Sequence, residues 1–442
     1  MIGVNDIVPL CAISWRAFCE PRRENEICAL WRIIQRYNKP QVKNDVREWR
    51  NMRIVQVVPS MEGGKLAQEA LEFAQEMARQ GHESSVISSG GSLVSRLTLH
   101  NCQHFELPVH RKGLINSRLH RKVRQQLESL QADVLLCRDS LCSWHGWKIW
   151  QALPEAARPR LITFLHRWPQ GGIFGGGWMK GAVARGELVF TASQDLARRL
   201  SKRFEIPLAD PEGSPKPFTV RHLYRGVNVR ELDRRAPVSG HWQQRLLNNY
   251  PQLEGRSWLL LPGEIGPGRG QDKFLELLAQ LKQKREDLFG LVVGEVVPGQ
   301  EKFARELERR AESMGLAEHV VFLGPRRDMR ELYASARITF ELADPLYADG
   351  RVVSEALAMG CPAVTLGGPG AEVLQQCFPQ GLPQSLTAEG EDVAKCRDLD
   401  EHLVARCLAI LHEPEAIDFS GFSLEETGAR AVDWFHKVNG VS

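Results

Sequence analysis

The stretch ELADPLYADGRVVSEALAMGCPAVTLGGPGAEVL, Glu341–Leu374, decides the fold. It opens on a short apolar run and then passes through a loop that ends at Gly350. From Val352, small and apolar residues recur every three or four positions, which predicts a helix that ends at Gly360. The next apolar run, Pro362–Leu366, predicts a short buried strand, and glycines turn the chain into another helix. Because helix starts favour negative charge, this order of elements predicts a pocket for a phosphate-bearing ligand.

The totals of the chain bound its class. The 442 residues include 57 Lys and Arg against 54 Asp and Glu, a net charge of +3, so we expect no nucleic-acid partner. No apolar run reaches the ~18 residues of a membrane-spanning helix, and the N-terminus lacks the order of a signal peptide. The ten cysteines form no C-x-x-C pair and no zinc-like grouping with histidine. We therefore expect reduced thiols in a cytoplasmic protein and no metal site.

Residues 1–51 differ in character from the rest of the chain. Arginines and tryptophans alternate there with single apolar residues, and no buried-strand run occurs. At Met52 the pattern changes abruptly, because a methionine stands directly before a buried-strand run. We expect Met52 to be the biological start and residues 1–51 to be an extension outside the native fold. The alternative is a genuine accessory segment at a membrane surface.

From Met52 onward, apolar runs alternate with helical patterns. The first predicted strand, Ile54–Val58, leads through Gly63 and Gly64 into a predicted helix, Leu66–Gln80. Further strands are predicted at Ser84–Ser88, Val134–Cys137, Leu161–Leu165, Leu188–Ala192 and Phe218–Leu223. This alternation predicts a parallel sheet with helices on both faces, and ligands bind such sheets beyond the carboxyl ends of the strands. The residues that follow strands at this edge are Gly63, Gly64, Arg138, His166 and Ser193.

A second alternation of the same kind starts at Trp258, where a predicted strand runs into the glycine-rich turn Pro262–Gly270. Residues 231–256 are polar and irregular, which favours a hinge. The fold class predicted is α/β, with two doubly wound Rossmann-like domains facing a cleft. The N-terminal domain is expected over residues 52–235, with the final helix 424–438 packing back on it, and the C-terminal domain over residues 236–423.

Two such domains with glycine-rich turns fit a nucleotide-sugar transferase or a nicotinamide dehydrogenase. A dehydrogenase needs G-x-G-x-x-G after its first strand, but Gly63 and Gly64 are followed by Lys-Leu-Ala, and no Walker A sequence occurs. A nucleotide-sugar site needs a cation for the diphosphate, a carboxylate for the ribose hydroxyls and a helix N-terminus. Arg269, Glu355 and the turn before Val352 supply these three features.

From Met52 to about residue 420 the chain resembles the retaining family 4 glycosyltransferases of the GT-B fold. It is most similar to a bacterial branch assigned to lipopolysaccharide or other surface-glycan assembly. The segments that carry the resemblance are Gly63-Gly64, Arg79–Gly91, Thr163–His166, Tyr224–Asn228, Leu260–Asp272, Gly290–Gly294 and Gly350–Gly360. Each is weak alone, but together, in this order, they are specific for the fold.

The resemblance implies an activity. Such enzymes move a sugar from a nucleotide-sugar to a glycan or lipid-linked acceptor with retention, and the leaving diphosphate itself helps to deprotonate the acceptor. No cofactor and no metal are expected. The protein would work in the cytoplasm, peripherally on the inner face of the cytoplasmic membrane.

Roles for individual residues also follow from the resemblance. Arg269 stands where such enzymes place a lysine on the donor diphosphate, and Glu355 stands where the second glutamate of the Glu-x7-Glu motif holds the ribose. His166 matches a histidine near the reacting sugar. The backbone around the donor is expected from Gly63, Gly64, Gly263, Gly350, Arg351 and Val352. Simpler explanations remain open, because βα turns need glycine for geometry alone and a carboxylate early in a helix complements its dipole.

The chain also departs from the family pattern. Tyr347 stands where the first glutamate of the motif belongs, and Glu264 replaces an arginine of the diphosphate turn. Asp349 replaces a phenylalanine. Two explanations are open for an active enzyme: Asp349 supplies the missing carboxylate after a loop shift, or the donor differs. Asp349 and His166 are assigned the catalytic roles. The alternative is a catalytically weakened paralogue that serves as a partner in a glycan-assembly complex. A sugar-nucleotide epimerase of the same fold is a more distant third.

One basic segment has two interpretations. His110–Arg124, HRKGLINSRLHRKVR, holds several lysines and arginines and no acid. It is either a solvated helix face or a patch that contacts an anionic membrane near a lipid-linked acceptor, where each cation contributes about 1 kcal/mol.

Overall fold

The computed structural model describes residues 51–111, 117–168, 181–209, 217–344, 347–377, 401–412, 417, 419 and 422–438. These residues all belong to one compact unit, Glu48–Ser442. Nearly all of the segment 1–51 lies outside the described residues, so Met52 as the biological start stays a prediction.

The N-terminal lobe is built on a sheet of seven strands in the order β3-β2-β1-β4-β5-β6-β7, with every described pairing parallel. The strands are β1 (Arg53–Val57), β2 (Glu83–Ser88), β3 (Gln103–Glu106), β4 (Val134–Arg138), β5 (Arg160–Leu165), β6 (Leu188–Thr191) and β7 (Thr219–His222). Its helices are α1 (Gly64–Arg79), α2 (Val94–Thr98), α3 (Ser117–Ser129), α4 (Ser140–Ala152) and α5 (Gln194–Phe204).

Helices cover both faces of this sheet. Successive side chains of a strand point to opposite faces. In β1, Ile54 accordingly belongs to the same buried cluster as Phe73 of α1 on one face, while Val55 belongs to the cluster of Leu119 of α3 on the other. Both faces are therefore apolar and buried, as in the parallel sheets of α/β proteins.

The C-terminal lobe holds a second parallel sheet of five strands in the order β10-β9-β8-β11-β12. The strands are β8 (Ser257–Pro262), β9 (Leu288–Val293), β10 (Val320–Gly324), β11 (Ile338–Glu341) and β12 (Ala363–Thr365). The described helices are α6 (Gly240–Asn249), α7 (Gln271–Lys282), α8 (Glu301–Ser313), α9 (Met329–Ser335), α10 (Arg351–Ala358), α11 (Gly368–Cys377) and α12 (Glu401–His412). One continuous apolar core packs these helices on the sheet.

The last described helix, α13 (Leu424–Val438), returns to the N-terminal lobe. Its Ala431 and Phe435 are buried in the same cluster as Met77 of α1. Before α13 the chain bonds to the end of the N-terminal lobe, because the Val227 N–H donates to Phe422 O at 2.8 Å. The domain boundaries at 235/236 and 423/424 stay predictions.

The carboxyl ends of the two sheets border one cleft. Lys65, at the start of α1, lies with Nζ 3.1 Å from Oδ2 of Asp349, in the loop after β11. Within the cleft is a cavity of about 240 Å³ whose lining includes Glu72 and Arg225 from one side and Arg351 and Glu355 from the other. Loops that follow strands of both sheets are therefore brought within contact distance.

Candidate functional site

The glycine turn after β1 leaves open space in front of α1. Gly63 and Gly64 have φ values of +126° and +80°. Residues other than glycine rarely adopt this backbone conformation. A Cβ atom at either position would meet nothing within 4 Å. The first turn of α1 has no side-chain cap, so its backbone N–H groups are open to a ligand, and the donor contact expected at Gly63 and Gly64 stays a prediction.

A buried charge cluster lies behind this turn and joins α1 to the ends of β4 and β5. The Arg138 Nη1 donates to Glu69 Oε1 at 3.1 Å, and His166 Nδ1 lies 3.0 Å from Glu69 Oε2. The Arg138 Nε donates to Gln56 Oε1 at 2.6 Å. Arg138 is fully buried, with its guanidinium 5.2 Å from the ring centroid of Phe164. Each oxygen of Glu69 therefore has its own donor.

The environment of Glu69 keeps its carboxyl group ionised. Burial alone would raise the pKa of Glu69, but the hydrogen bond that Glu69 accepts from His166 and the charges of Arg138 and Arg225 outweigh it, and they hold this pKa well below its usual range. His166 stacks on Phe164, with the ring centroids 4.2 Å apart and the planes at 22°.

Two polar atoms of this cluster are buried without a hydrogen-bond partner among the described residues, namely Arg138 Nη2 and His166 Nε2. Leaving a buried polar group unpaired costs about 1–3 kcal/mol. Arg138 ends β4 and His166 follows β5, so both lie at the carboxyl edge of the sheet, where α/β proteins bind ligands.

Further along α1, Glu72 faces the cleft as well. Its Oε2 accepts from Arg225 Nη2 at 2.7 Å, and both side chains are largely buried. The sequence prediction missed Glu69, Glu72 and Arg225. A signal was present in the spacing, since Glu69, Glu72 and Glu76 recur every three or four residues directly after the glycine turn, on one helix face.

In the C-terminal lobe, Arg269 already has partners. Its Nη1 donates to Glu264 Oε2, and its guanidinium lies 4.3 Å from the ring centroid of Tyr347. Both contacts involve residues that depart from the family pattern. Gly263, with φ +148°, opens this turn, and a Cβ atom there would meet nothing within 4 Å. The turn is therefore open, while the cation expected on a diphosphate is held by a carboxylate.

The start of α10 is arranged by Gly350, which has φ +73°. Arg351 follows, and its Nε donates to Glu355 Oε1 on the next turn. Glu355 Oε2 also accepts from the buried Tyr333 hydroxyl at 3.1 Å. Burial lowers the pKa of Arg351, but the charges around it, that of Glu355 above all, outweigh burial, so this pKa is raised above its usual value. Val352 is half-buried in the first turn.

Two carboxyl groups next to Gly350 have pKa values that diverge. The pKa of Glu341 is raised to about 8, first by burial and then by the charge of Asp349. Burial would also raise the pKa of Asp349, but the charges of Lys65 and Arg225 outweigh it and lower this pKa. Glu341 Oε1 accepts from the Gly350 N–H at 3.2 Å, and its Oε2 is buried without a partner among the described residues. Sequence reasoning missed Glu341 because it ends an apolar strand.

The structure thus brings some of the expected site residues together. Arg351 and Glu355 line the cavity with Glu72 and Arg225 of the other lobe, and Asp349 contacts Lys65. His166 belongs to the separate Glu69 cluster. These placements leave the roles of the site residues as predictions.

No group of three or more His, Cys, Asp and Glu side chains within the described ranges is placed to hold a metal ion. One Asp-x-Asp sequence, a pattern found in metal sites, occurs at Asp398 and Asp400, and it lies outside those ranges. Metal independence stays a prediction.

Comparisons with known proteins cover both lobes. A family model described as Glycosyltransferase Family 4 matches residues 67–212, and one described as Glycosyl transferases group 1 matches residues 245–376. Together they cover more than half of the chain. The chain belongs to the family 4 glycosyltransferases. The predicted family resemblance is confirmed.

One curated relative is matched over part of its length. Over 115 residues this glycosyltransferase family member is 34% identical to the lipopolysaccharide glucosyltransferase WaaG of Escherichia coli. The match covers 25% of this chain and 28% of WaaG.

Solved structures agree over nearly the whole fold. A glycosyltransferase from Rickettsia africae ESF-5 is 18% identical with a TM-score of 0.67, over 89% of this chain and 100% of that one. Anabaena Alr3699/HepE, solved in complex with UDP and glucose, is 18% identical with a TM-score of 0.62, over 88% of this chain and 98% of that one. The predicted GT-B fold, with two Rossmann-like lobes, is confirmed.

Proposed function

We propose that this family member transfers a sugar from a nucleotide-sugar donor to a glycan or lipid-linked acceptor, with retention, in lipopolysaccharide or surface-polysaccharide synthesis. The observation that carries the proposal is the cavity between the lobes, where Arg351 and Glu355 stand at the first turns of α10. A sugar nucleotide needs a cation for its diphosphate and a carboxylate for its ribose. The partial match to WaaG and the fold shared with a protein that binds UDP and glucose support the choice of substrates.

On the donor side, Arg269 is assigned to the diphosphate. Its pairing with Glu264 is compatible with this role, because the Glu264 side chain is 46% exposed and exposed ion pairs contribute only about 0–1 kcal/mol. A hydrogen bond from a guanidinium to a phosphate contributes about 1.5–3 kcal/mol. A diphosphate therefore competes successfully with Glu264 for the guanidinium.

Glu355 is assigned to the ribose hydroxyls. Its two oxygens accept from Arg351 and Tyr333, and a carboxylate has about four lone-pair sites, so each oxygen can accept one further hydrogen bond. The donor is proposed to contact the backbone at Gly63, Gly64 and Gly263, where no side chain blocks its approach. The turn beside the diphosphate is completed by Gly350 and Val352.

On the chemical side, His166 and Asp349 are assigned to the reacting groups. The leaving diphosphate takes the proton of the acceptor hydroxyl on the face from which it departs, so no protein nucleophile is required. Arg269 and the N–H groups at the start of α10 stabilise the charge that develops on the diphosphate. The reaction is proposed to need no metal.

A screen of nucleotide-sugars tests this proposal. A ligand present at 100 times its Kd stabilises the folded state by about 2.7 kcal/mol, so a true donor raises Tm measurably. Mass spectrometry then identifies the transferred sugar. We expect at least one nucleotide-sugar to raise Tm and to be consumed. If no nucleotide-sugar in the full panel raises Tm or is consumed, the proposed transferase activity is overturned.

The second candidate function is that of a non-catalytic partner in a glycan-assembly complex. The observation that favours it is the engagement of Arg269 by both Glu264 and Tyr347. An inert partner shows no stabilisation by any donor, so the same screen separates the two.

A peripheral position on the inner face of the cytoplasmic membrane is part of the proposal. The described part of the basic segment includes the beginning of α3, where Leu119 and Val123 are buried while Arg118, Arg121 and Lys122 are exposed. Residues 112–116 of the segment lie outside the described residues. Among the described helices, none is long and apolar enough to cross a membrane.

Flotation with liposomes tests the membrane contact. We expect binding that increases with anionic lipid content and that decreases when Arg118, Arg121 and Lys122 are all changed to Gln. Three cations at about 1 kcal/mol each correspond to a loss of about 100-fold in affinity. Binding that ignores the lipid charge contradicts the prediction.

A further inference from the structure

The bonding of Glu69 determines where His166 carries its proton. A carboxylate only accepts hydrogen bonds. Because Glu69 Oε1 is taken by Arg138 at 3.1 Å and Oε2 lies 3.0 Å from His166 Nδ1, the imidazole must be the donor in the second contact. The proton of a neutral His166 is therefore on Nδ1.

A lone pair is consequently left on the other ring nitrogen. A neutral imidazole has one N–H donor and one acceptor, so His166 Nε2 is the acceptor. That atom has no hydrogen-bond partner among the described residues. Sugars offer hydroxyl groups, which are the complementary donors.

The position of this acceptor is fixed by a chain of contacts. Gln56 accepts from Arg138 Nε at 2.6 Å, and Arg138 in turn holds Glu69. On its other side the His166 ring stacks on Phe164 at 4.2 Å between centroids. Both the plane of the ring and the direction of Nε2 are thereby set before a ligand arrives.

We propose that Glu69 is a positioning residue, which holds His166 in the tautomer protonated at Nδ1 so that Nε2 accepts a hydrogen bond from a hydroxyl of the sugar substrate. The ligand part of this inference rests on the proposed function, whereas the tautomer does not. Arg138 serves the same arrangement one step further away, by keeping Glu69 oriented.

Replacing Glu69 by glutamine reverses the arrangement. Arg138 is only a donor, so it takes the amide oxygen of Glu69→Gln, and the amide NH₂ then faces His166. Since that NH₂ is a donor, His166 must accept at Nδ1 and carry its proton on Nε2. The variant has almost the same shape but presents a donor where the wild type presents an acceptor.

Nitrogen NMR of the ¹⁵N-histidine-labelled full chain tests the tautomer, with His166 assigned from the signal lost in His166→Ala. In the wild type we expect a protonated Nδ1 and a bare Nε2, and in Glu69→Gln the opposite. Glu76→Gln on the same helix, whose Oε2 pairs with Arg79 and Arg230, is the matched control and keeps the wild-type signals. An unchanged tautomer in Glu69→Gln overturns the proposal, and so does a wild-type ring protonated on both nitrogens, because its Nε2 would be a donor.

A double-mutant cycle tests the ligand part, with UDP-glucose hydrolysis as the assay. We expect Glu69→Gln to lower kcat about 10- to 100-fold, as expected for a lost or opposed hydrogen bond. In a His166→Ala background the same change should have no further effect, because Glu69 acts through His166. Thermal unfolding of each variant confirms folding.

The outcomes of the two experiments are distinguishable. Additive losses in the cycle, or full activity of Glu69→Gln, overturn the role of Glu69 in an active transferase. If the wild type neither binds nor consumes any nucleotide-sugar, the proposed function fails, and the tautomer measurement still decides whether Glu69 positions His166.

Discussion

Each lobe holds a largely buried carboxyl group beside the cleft, and the two have opposite ionisation behaviour. In the N-terminal lobe Glu69 has Arg138 and His166 within hydrogen-bond distance, and its pKa is held well below the usual range. In the C-terminal lobe Glu341 has the Gly350 N–H on one oxygen and no partner for the other, and its pKa is raised to about 8.

The comparison shows that the neighbouring charges and hydrogen-bond donors, rather than burial, decide whether each carboxyl group is ionised. Burial raises the pKa of both groups. In one lobe cations outweigh this cost, and in the other the nearest charge, that of Asp349, adds to it. The cleft is therefore bordered by a fixed anion on one side and by a neutral acid on the other.

Of the changes that test this comparison, removing Arg138 is expected to have the largest effect on the free energy of unfolding. Arg138→Met leaves Glu69 buried without its guanidinium, and breaking a buried ion pair costs about 3–5 kcal/mol of unfolding free energy. Urea unfolding measures this. The control Arg199→Met, which loses an exposed pair with Asp195, should change stability by less than about 1 kcal/mol. Equal effects of both changes would contradict the account of Glu69.

Glu341 should make stability depend on pH. Its folded pKa of about 8 lies above the usual 4.5, so its neutral form stabilises the folded state below pH 4.5, and this stability is lost as the pH rises to 8. We expect Glu341→Gln to abolish this loss, a relative gain of the order of a few kcal/mol at pH 8.

Urea titrations of wild type and Glu341→Gln from pH 5 to pH 8 give the difference directly. The exposed Glu83→Gln serves as the control and should follow the wild type. Parallel curves for wild type and Glu341→Gln would show that Glu341 is ionised in the folded state throughout this range.

The third test concerns Arg269, whose partner is exposed. We expect Arg269→Ala to weaken donor affinity by about 10- to 100-fold, the loss of one charge-assisted hydrogen bond, and Glu264→Gln to strengthen it a few-fold by releasing the guanidinium. Isothermal titration with the donor found by the screen measures both. Arg309→Ala, on the exposed face of α8, is the control. Unchanged affinity in Arg269→Ala removes Arg269 from the diphosphate site.

The smallest effect is expected for Lys65, which contacts Asp349 at 3.1 Å with 48% of its side chain exposed. Lys65→Met should cost less than about 1 kcal/mol at neutral pH. Because the charge of Lys65 lowers the pKa of Glu341, its removal should move the pH transition of stability upward. The exposed Lys284→Met should leave that transition in place.

Much of the fold could be predicted from hydrophobic periodicity. The predicted helix 424–438 has the observed bounds, and the predicted strands Ser84–Ser88, Leu161–Leu165 and Leu188–Ala192 each differ from the observed strand by one residue. The edge strand β3 (Gln103–Glu106) was missed because QHFE is short, half-exposed and lacks an apolar run. An edge strand with few buried residues has no run or alternation of apolar residues, so hydrophobic periodicity cannot predict it.

The candidate site was predictable only in part. Glycines with positive φ could be expected after strands, and Gly63, Gly64 and Gly350 have such values. The partners could not be predicted, because Glu69 and Arg138 are far apart in sequence and their contact depends on how α1 packs across the sheet. An acidic residue in an amphipathic helix also has the pattern of an ordinary solvent-facing position.

The two chain segments that connect the lobes, one at Val227 and the other at Phe422–Leu424, lie side by side. Val227 donates to Phe422 O at 2.8 Å and accepts from the Leu424 N–H at 2.8 Å, so the outgoing and returning segments are hydrogen-bonded to each other. In mechanical terms this is a double-stranded hinge, which resists twisting more than a single linker does. The hinge predicted at residues 231–256 was wrong in its position, because α6 (Gly240–Asn249) forms there and buries Trp242 in the C-terminal core. Rotation of the lobes about it would change the width of the cleft while keeping the two sheet edges facing each other.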